Sequence, residues 1–469
     1  MYRTLLIYIL LVGSLFVLTG VLLSKGSLLP VRLPALVKTV SIRVAEAPVP
    51  AKGAAFPLEL SLLQLIVVLA AARTAGAVAK LLHQPAVVGE MLAGVCLGPS
   101  LLGKWCPGIS AALFPAGSLQ GITLLSQAGL VFFMFVLGMD LDTGLIRKKA
   151  RHAFLISHSS IVLPFFLGVT LAYFIYPLTA PPGVRFLPFA LFIGTAMSIT
   201  AFPVLARIVM DRGLTQHPLG QLVISCAAAD DVTAWCLLAV VVALVKAGTI
   251  GMGLLTIVKA LGLVAVILLV IKPLLQRALH WLRAKNAGEI ATTAVFLFVL
   301  ISAWTAEKIG IHALMGAFLA GTAMPAESDY REEMAGKVKD ISVLVLLPVF
   351  FFLSGLRTRL DLLGDGQLRL LFALVLCVAV AGKFGGAGLA ARLSGYSWHD
   401  AVAIGVLMNT RGLVELIVIN IGYELGVLSG GIYTILVLMA ITTTLMTSPL
   451  LDWVDRSRAK KIEQLKIEC

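Results

Sequence analysis

Apolar runs of about 20 residues, one after another, leave this chain few folds to choose from. A run of that length crosses a bilayer as a helix, because lipid offers the backbone no hydrogen-bonding partner. After residue 57 about thirteen such runs follow, near 58–83, 86–103, 118–139, 152–177, 186–210, 218–246, 252–283, 289–309, 311–325, 341–357, 368–393, 400–422 and 431–452. The 311–325 run is short. The 252–283 run is long, and Lys272-Pro273 is placed to kink it. Composition agrees with lipid as the solvent. The chain is 59% hydrophobic and 13% charged, with a mean hydropathy of +1.00, and a soluble globule of 469 residues cannot bury that much apolar surface. The expected fold is therefore an all-α membrane protein.

Residues 4–23 form one more apolar run, either an extra N-terminal helix or a signal peptide. Residues 24–57 are rich in Pro and Ala without a period, which reads as a linker. The expected division is a hydrophobic segment at 1–23, a linker at 24–57, a transmembrane domain at 58–452 and a short cytoplasmic tail at 453–469. That tail is too short for a nucleotide-binding domain.

The formal net charge is +13. In a soluble chain that excess would suggest nucleic acid. Here it lies in short loops between apolar runs, so it reports orientation instead. Arg147, Lys148, Lys149 and Arg151 follow the third helix, Arg283 and Lys285 the seventh, Lys337 and Lys339 the ninth, and Arg456, Arg458, Lys460 and Lys461 the thirteenth. All fall on one side, expected to be the cytoplasmic face of a cell (inner) membrane, with the C-terminus inside. Arg357, Arg359 and Arg369 fall on the other side, against the rule. The six cysteines show no CxxC, so neither a disulfide framework nor a zinc site is expected, and no cofactor is.

Two pairs of segments echo each other. Val88-Gly89-Glu90-Met91-Leu92-Ala93-Gly94 matches Met315-Gly316-Ala317-Phe318-Leu319-Ala320-Gly321, and Phe132–Met139 matches Phe350–Leu356. The second copy of each begins about 220 residues after the first, the mark of an internal duplication. The matched helices are seven apart, so they cross in opposite directions. Two inverted six-helix repeats and a linker helix account for all thirteen. Inverted repeats with a site at their midplane are a transporter architecture.

Asp230 and Asp231 interrupt an otherwise apolar run, Ile224 to Trp235. Two carboxylates at bilayer depth must be neutralised. A proton or a monovalent cation can do so, since a hard cation wants oxygen ligands. One site that takes either in turn is the minimum machine for exchange. The alternative is two short helices joined by a polar turn, although no Gly or Pro stands near the pair. Lys383 is also deep, among Gly382, Gly385, Gly386 and Gly388, and needs a counter-charge; the aspartate pair is the expected partner. The bland reading is a lysine reaching water from a tilted helix.

The fifth and twelfth helices look broken, in corresponding places of the two repeats. The fifth carries Ser198, Thr200 and Pro203, and Pro203 frees the carbonyl of Ile199. The twelfth carries Asn409, Thr410 and Gly412, cap and turn formers. Such breaks point to an ion site, although a simple proline kink also fits the fifth. Arg411 and Glu415 are four apart and suited to a pair along the helix. Glu90, Asp140 and Asp142 lie near cytoplasmic helix ends, where they form either an acidic funnel or solvated termini. His158 is intramembrane, either a proton relay or a structural histidine.

Gln84-Pro85-Ala86-Val87-Val88-Gly89-Glu90, Ser198 to Arg207 and Met408 to Leu416 resemble the monovalent cation:proton antiporter-2 family. The resemblance covers about 58–452. It implies a core domain with two crossing broken helices, a dimerisation domain, a homodimer and elevator-like alternating access. It implies Asp231 as the main ion-binding carboxylate, with Asp230 beside it and Lys383 as the membrane lysine. Plant exchangers of the family commonly have Asn where this chain has Asp230, and they carry a large hydrophilic C-terminal domain. The Asp-Asp pair is similar to that of electrogenic bacterial sodium/proton antiporters. The expected activity is exchange of Na⁺ or K⁺ for protons, probed against three alternatives. A sodium-coupled organic-anion symporter of the same fold needs a roomy cavity. An intramembrane aspartyl protease needs aspartates on two helices. A channel is poorly served by a central acid pair with a counter-lysine.

Overall fold

A computed structural model describes residues 2–31, 58–82, 84–115, 117–140, 150–214, 217–247, 250–285, 288–325, 328–361 and 366–467. Among these every regular element is a helix. In chain order they are α1 (Tyr2–Gly26), α2 (Leu58–Leu81), α3 (Ala86–Leu97), α4 (Gln120–Asp140), α5 (Ala150–Thr179), α6 (Phe186–Ser198), α7 (Phe202–Asp211), α8 (Pro218–Ala247), α9 (Ile250–Ala265), α10 (Lys272–Ala284), α11 (Gly288–Ile309), α12 (Ala313–Thr322), α13 (Ser328–Ile341), α14 (Leu347–Leu356), α15 (Gly366–Leu393), α16 (Trp398–Met408), α17 (Leu413–Glu424) and α18 (Gly430–Ile467). Two short helices, Leu102–Trp105 and Pro107–Leu113, separate α3 from α4.

Each of the thirteen apolar runs falls on helix. Among the described residues, ten helical stretches are long and apolar enough to cross a membrane. The other three runs are the short one, now α12, and the two broken ones, now α6–α7 and α16–α17. The run at 4–23 lies within α1, which packs on α5 and α6. The segment after 452 continues the helix of α18. Most of the 24–57 linker, and the basic loop at 147–149, lie outside the described residues.

Two helical runs contain a π-helical stretch, Val266–Ile271 between α9 and α10 and Ser342–Leu346 before α14. Each ends two residues before a proline, Pro273 or Pro348. Proline lacks the N–H for an i→i−4 bond and crowds the carbonyl four residues back. A locally wider turn relieves that crowding. The expected kink at Lys272-Pro273 is realised this way, and the second stretch repeats the device.

The duplication appears as exchanged contacts. Gly94 of α3 lies against the Phe352 carbonyl of α14, and Gly355 of α14 lies against the Met91 carbonyl of α3. In the other copy Gly138 of α4 meets the Phe318 carbonyl of α12, and Gly321 of α12 meets the Phe135 carbonyl of α4. Gly89 rests on Ala75 of α2 as Gly316 rests on Ser302 of α11. The glycines that matched in sequence make matched backbone approaches, as small residues do between membrane helices. Gly94→Val or its counterpart Gly321→Val should each lower stability by about 1–3 kcal/mol by forcing two backbones apart. Gly262→Val, in helix interior with open space around it, should leave the melting temperature in detergent nearly unchanged.

The helices pack as two bundles. Val68, Ala72, Ala93, Ile122, Val349 and Phe352 form an apolar cluster among α2, α3, α4 and α14. Ile156, Leu205, Val223, Ala387, Ile404 and Leu451 form another among α5, α7, α8, α15, α16 and α18. A third, larger cluster runs between them. The acid pair and Lys383 belong to the bundle of α5–α8 and α15–α18.

Candidate functional site

α8 runs unbroken from Pro218 to Ala247, so Asp230 and Asp231 stand mid-helix and the polar-turn alternative falls. Lys383 is brought to them by glycine. A Cβ at Gly382 would lie 2.8 Å from Pro164 Cβ, and one at Gly386 would lie 2.6 Å from the Ser159 carbonyl oxygen. These two glycines share one face of α15 and let it press onto α5.

Asp230 is fully buried and fully engaged. Ser157 donates to Oδ1 at 2.6 Å. Ser160 and Thr200 donate to Oδ2 at 3.0 and 2.7 Å. Lys383 Nζ reaches the same Oδ2 at 2.9 Å, with both side chains 0% exposed. Nζ also donates to the hydroxyls of Ser160, at 2.8 Å, and Thr200. Lys383 therefore pairs as expected and does not snorkel to water. A buried ion pair repays its desolvation only when further hydrogen bonds satisfy both ends, and the three hydroxyls do so here.

Asp231, the next residue, is the opposite case. It is 5% exposed, and neither carboxylate oxygen has a hydrogen-bond partner. The backbone N–H of Phe202, first residue of α7, interacts with it from beyond hydrogen-bond geometry. One carboxylate is thus spent on protein donors and its neighbour is left open.

Both broken helices are real breaks and they touch. α6 ends at Ser198, Ile199 is extended, and α7 restarts at Phe202. The break precedes Pro203, which sits in the first turn of α7, where its missing N–H costs nothing. Ile199, whose carbonyl Pro203 cannot engage, stands in the opened stretch just before the restarted helix. In the second break Ala201 N–H donates to the Thr410 carbonyl at 3.1 Å. Thr200 Oγ1 lies 3.3 Å from the Met408 carbonyl oxygen. Gly412 makes the crossing possible, since a Cβ there would lie 2.7 Å from Val204 Cγ2. The C-terminus of α16 therefore faces the N-terminus of α7, opposite ends of helix dipoles.

Arg411 and Glu415 do form an i,i+4 pair at 2.8 Å, but not as a surface pair, for both are 0% exposed. Arg411 also donates to the carbonyls of Ala196 and Met197 at 2.8 and 2.9 Å. It supplies donors to the last turn of α6, whose own were lost at the break. Asn409 caps α16, is 3% exposed, and its Oδ1 has no hydrogen-bond partner. Ser198 and Thr410 donate back to their own chain, at Thr195 and Leu407.

The remaining candidates separate from the site. Glu90 is buried at 5% exposure against α2, in the field of Arg73 and Lys80. It is neither a solvated helix end nor a neighbour brought to the pair. Asp142 and the Asp140 side chain lie outside the described residues. His158 rests its ring on Phe154, 4.1 Å between centroids. Ser157 and Ser160 are the functional residues that sequence reasoning missed. Their signal was two hydroxyls three apart on one face of an apolar helix.

The sequence profile described as "Sodium/hydrogen exchanger, transmembrane" matches residues 66–453. The chain is 42% identical over 395 residues to the Na(+)/H(+) antiporter NhaS4 of Synechocystis sp., covering 84% of this chain and 96% of that protein. It is 37% identical to Cation/H(+) antiporter 19 of Arabidopsis thaliana over 86% of this chain and 51% of that one. It is 31% identical to K(+)/H(+) antiporter 1 of Saccharomyces cerevisiae over 85% and 46%. It thus spans nearly all of the cyanobacterial relative and about half of the plant and yeast ones. In structure it is similar to the sodium proton antiporter MjNhaP1 from Methanocaldococcus jannaschii, with a TM-score of 0.65 at 15% identity, covering 85% of this chain and 98% of that one. With the profile spanning most of its length and relatives matched from end to end of the helical domain, this multi-pass membrane chain belongs to the sodium/hydrogen exchanger family of monovalent cation:proton antiporters.

Proposed function

We propose that this protein is a secondary antiporter that exchanges a monovalent cation, Na⁺ or K⁺, for protons by alternating access. The observation that carries the reading is the contrast between two adjacent buried carboxylates, Asp230 held by four protein donors and Asp231 held by none. Asp231 is then the group that takes a proton or a cation in turn. Asn409 Oδ1 and the hydroxyl oxygens of Ser198 and Thr410 at the crossing are the neutral oxygens suited to complete the shell of a hard cation. Asp230 is the charge partner of Lys383, and it enters the ligand set only after releasing Nζ.

That release supports an electrogenic cycle. A cation arriving at Asp231 stands beside the ammonium of Lys383 and repels it. Three hydroxyls remain to hold Asp230 as a carboxylate when Nζ leaves. Loss of the lysine proton, added to that of Asp231, frees two protons from the site for each cation bound, so two protons cross one way for each cation carried the other. The bundle of α5–α8 and α15–α18 is the moving part, in a homodimer built on the other bundle. The protein resides in a cell membrane with its C-terminus cytoplasmic. Arg357 and Arg359, basic residues on the far side, are tied to Glu424 and Asp361.

One site serving two ions makes them competitors. In proteoliposomes under an imposed pH gradient, Na⁺, K⁺ or Li⁺ added in turn should move internal pH. The apparent cation affinity should weaken by up to about ten-fold per unit of added acidity. An affinity independent of pH would mean separate sites.

A further inference from the structure

Away from the acid pair, the end of α14 reaches across to the other bundle. Arg357 Nη1 donates to Asn420 Oδ1 at 3.1 Å and lies 3.4 Å from Glu424 Oε1, both on α17. Asn420 Nδ2 donates back to Ser354 Oγ of α14 at 3.1 Å. Tyr433 of α18 donates its hydroxyl to the Ser354 carbonyl at 3.1 Å, with Asn420 Oδ1 at 3.3 Å. The Arg359 N–H donates to Thr434 Oγ1 of α18 at 3.1 Å. All but the Tyr433–Asn420 contact join α14 or the residues just after it, Arg357 and Arg359, to α17 or α18 of the site bundle, and α14 itself packs with α2–α4.

The bonds stand at the mouth of a cavity. Thr123 and Gln127 of α4 line its wall with Phe350, Ser354, Asn420 and Ile421, and a second, open recess shares Thr123, Gln127 and Arg357 with it. Neither recess is lined by Asp230 or Asp231. Arg357 thus stands where the recess open at this face meets the cavity that Ser354, Asn420 and Glu424 line. α17 is the second half of a broken helix, and its first turn carries Glu415, bonded to Arg411 at the crossing. A shift of the site bundle against α14 must break the Arg357–Asn420 and Asn420–Ser354 bonds together.

We infer that Ser354, Arg357, Asn420, Glu424 and Tyr433 form a latch that holds the path on this face closed, and that its release sets how often the site opens there. The inference rests on the reading of Asp231 as the exchange site. It has a consequence that a merely structural cluster lacks. A ligand's apparent affinity is scaled by the fraction of protein in the competent state. Weakening the latch raises that fraction for this face and lowers it for the opposite face. The two apparent affinities therefore move in opposite directions.

The test uses the full chain in membrane vesicles of both orientations, with Na⁺ and K⁺ as probes and proton movement as readout. Arg357→Gln removes the guanidinium fork and the ion pair. Glu424→Gln, at a side chain 39% exposed, removes the ion pair alone and does not threaten folding. For Arg357→Gln the apparent affinity should tighten by about ten-fold when the cation is offered at the latch face, the size expected of a charge-assisted bond, and weaken at the other. Glu424→Gln should show the same split, smaller, and Arg357→Lys should restore part of it, since a lysine keeps the charge but not the fork. Affinities that stay put on both faces, or fall on both, in the variants that fold would overturn the latch while leaving exchange at Asp231 intact. A wild type without cation-dependent proton movement would overturn both.

Discussion

Asp231→Asn is expected to reduce cation-dependent proton movement to the level of empty liposomes while leaving the protein folded. The substitution keeps shape and volume. It removes no hydrogen bond, because neither oxygen of Asp231 has a partner to lose. It also removes a buried charge that the protein compensates only through the Phe202 N–H and the field of Lys383, so stability should hold within about 1 kcal/mol or rise. The same exchange at Asp230 is a different experiment, because Asp230 accepts from Ser157, Ser160, Thr200 and Lys383. Thermal unfolding in detergent, run beside the transport assay, separates the two. An Asp231→Asn protein that still exchanges cation for protons would remove Asp231 from the role given it here.

Lys383→Ala should be the most destabilising single change at the site. It leaves Asp230 at 0% exposure without a counter-charge, and breaking a buried pair from one side costs about 3–5 kcal/mol. The hydroxyls of Ser157, Ser160 and Thr200 hold the cost toward the lower end of that range. Adding Asp230→Asn to Lys383→Ala removes the stranded charge and should recover most of the loss, a coupling that a double-mutant cycle reads directly. A double variant no more stable than Lys383→Ala would mean that the two do not depend on each other. The pair also bears on voltage. If the lysine proton is the second one exchanged, one net charge crosses per cycle, and 100 mV supplies about 2.3 kcal/mol to it. An imposed potential at equal pH should then drive wild-type exchange, and Asp230→Asn should blunt the response.

The helices were legible because lipid demands long apolar runs, and Asp230, Asp231 and Lys383 because charges inside such runs have few bland explanations. The break at 409–412 was legible from Asn409, Thr410 and Gly412. The break in the fifth helix was legible from Pro203, which cannot donate to the Ile199 carbonyl and sits instead in the first turn of α7. Ser157 and Ser160 were not legible. Serines are ordinary in membrane helices, and these two matter only because Gly382 and Gly386 bring α15 against α5, a contact between segments far apart in the chain. The i,i+4 spacing of Arg411 and Glu415 made their pair legible, but not the bonds by which Arg411 also caps the severed end of α6, again a contact between segments far apart in the chain. Glu90 closes a family motif, yet it packs from α3 against α2.

The central claim is that one carboxylate takes either ion in turn, and proton release on cation binding tests it most directly. Purified protein in a weakly buffered detergent solution would be titrated with Na⁺ and then K⁺ while pH is recorded. The account predicts saturable acidification by the transported cation, and none from Asp231→Asn. Cation binding that releases no protons, or release that survives in Asp231→Asn, would contradict it.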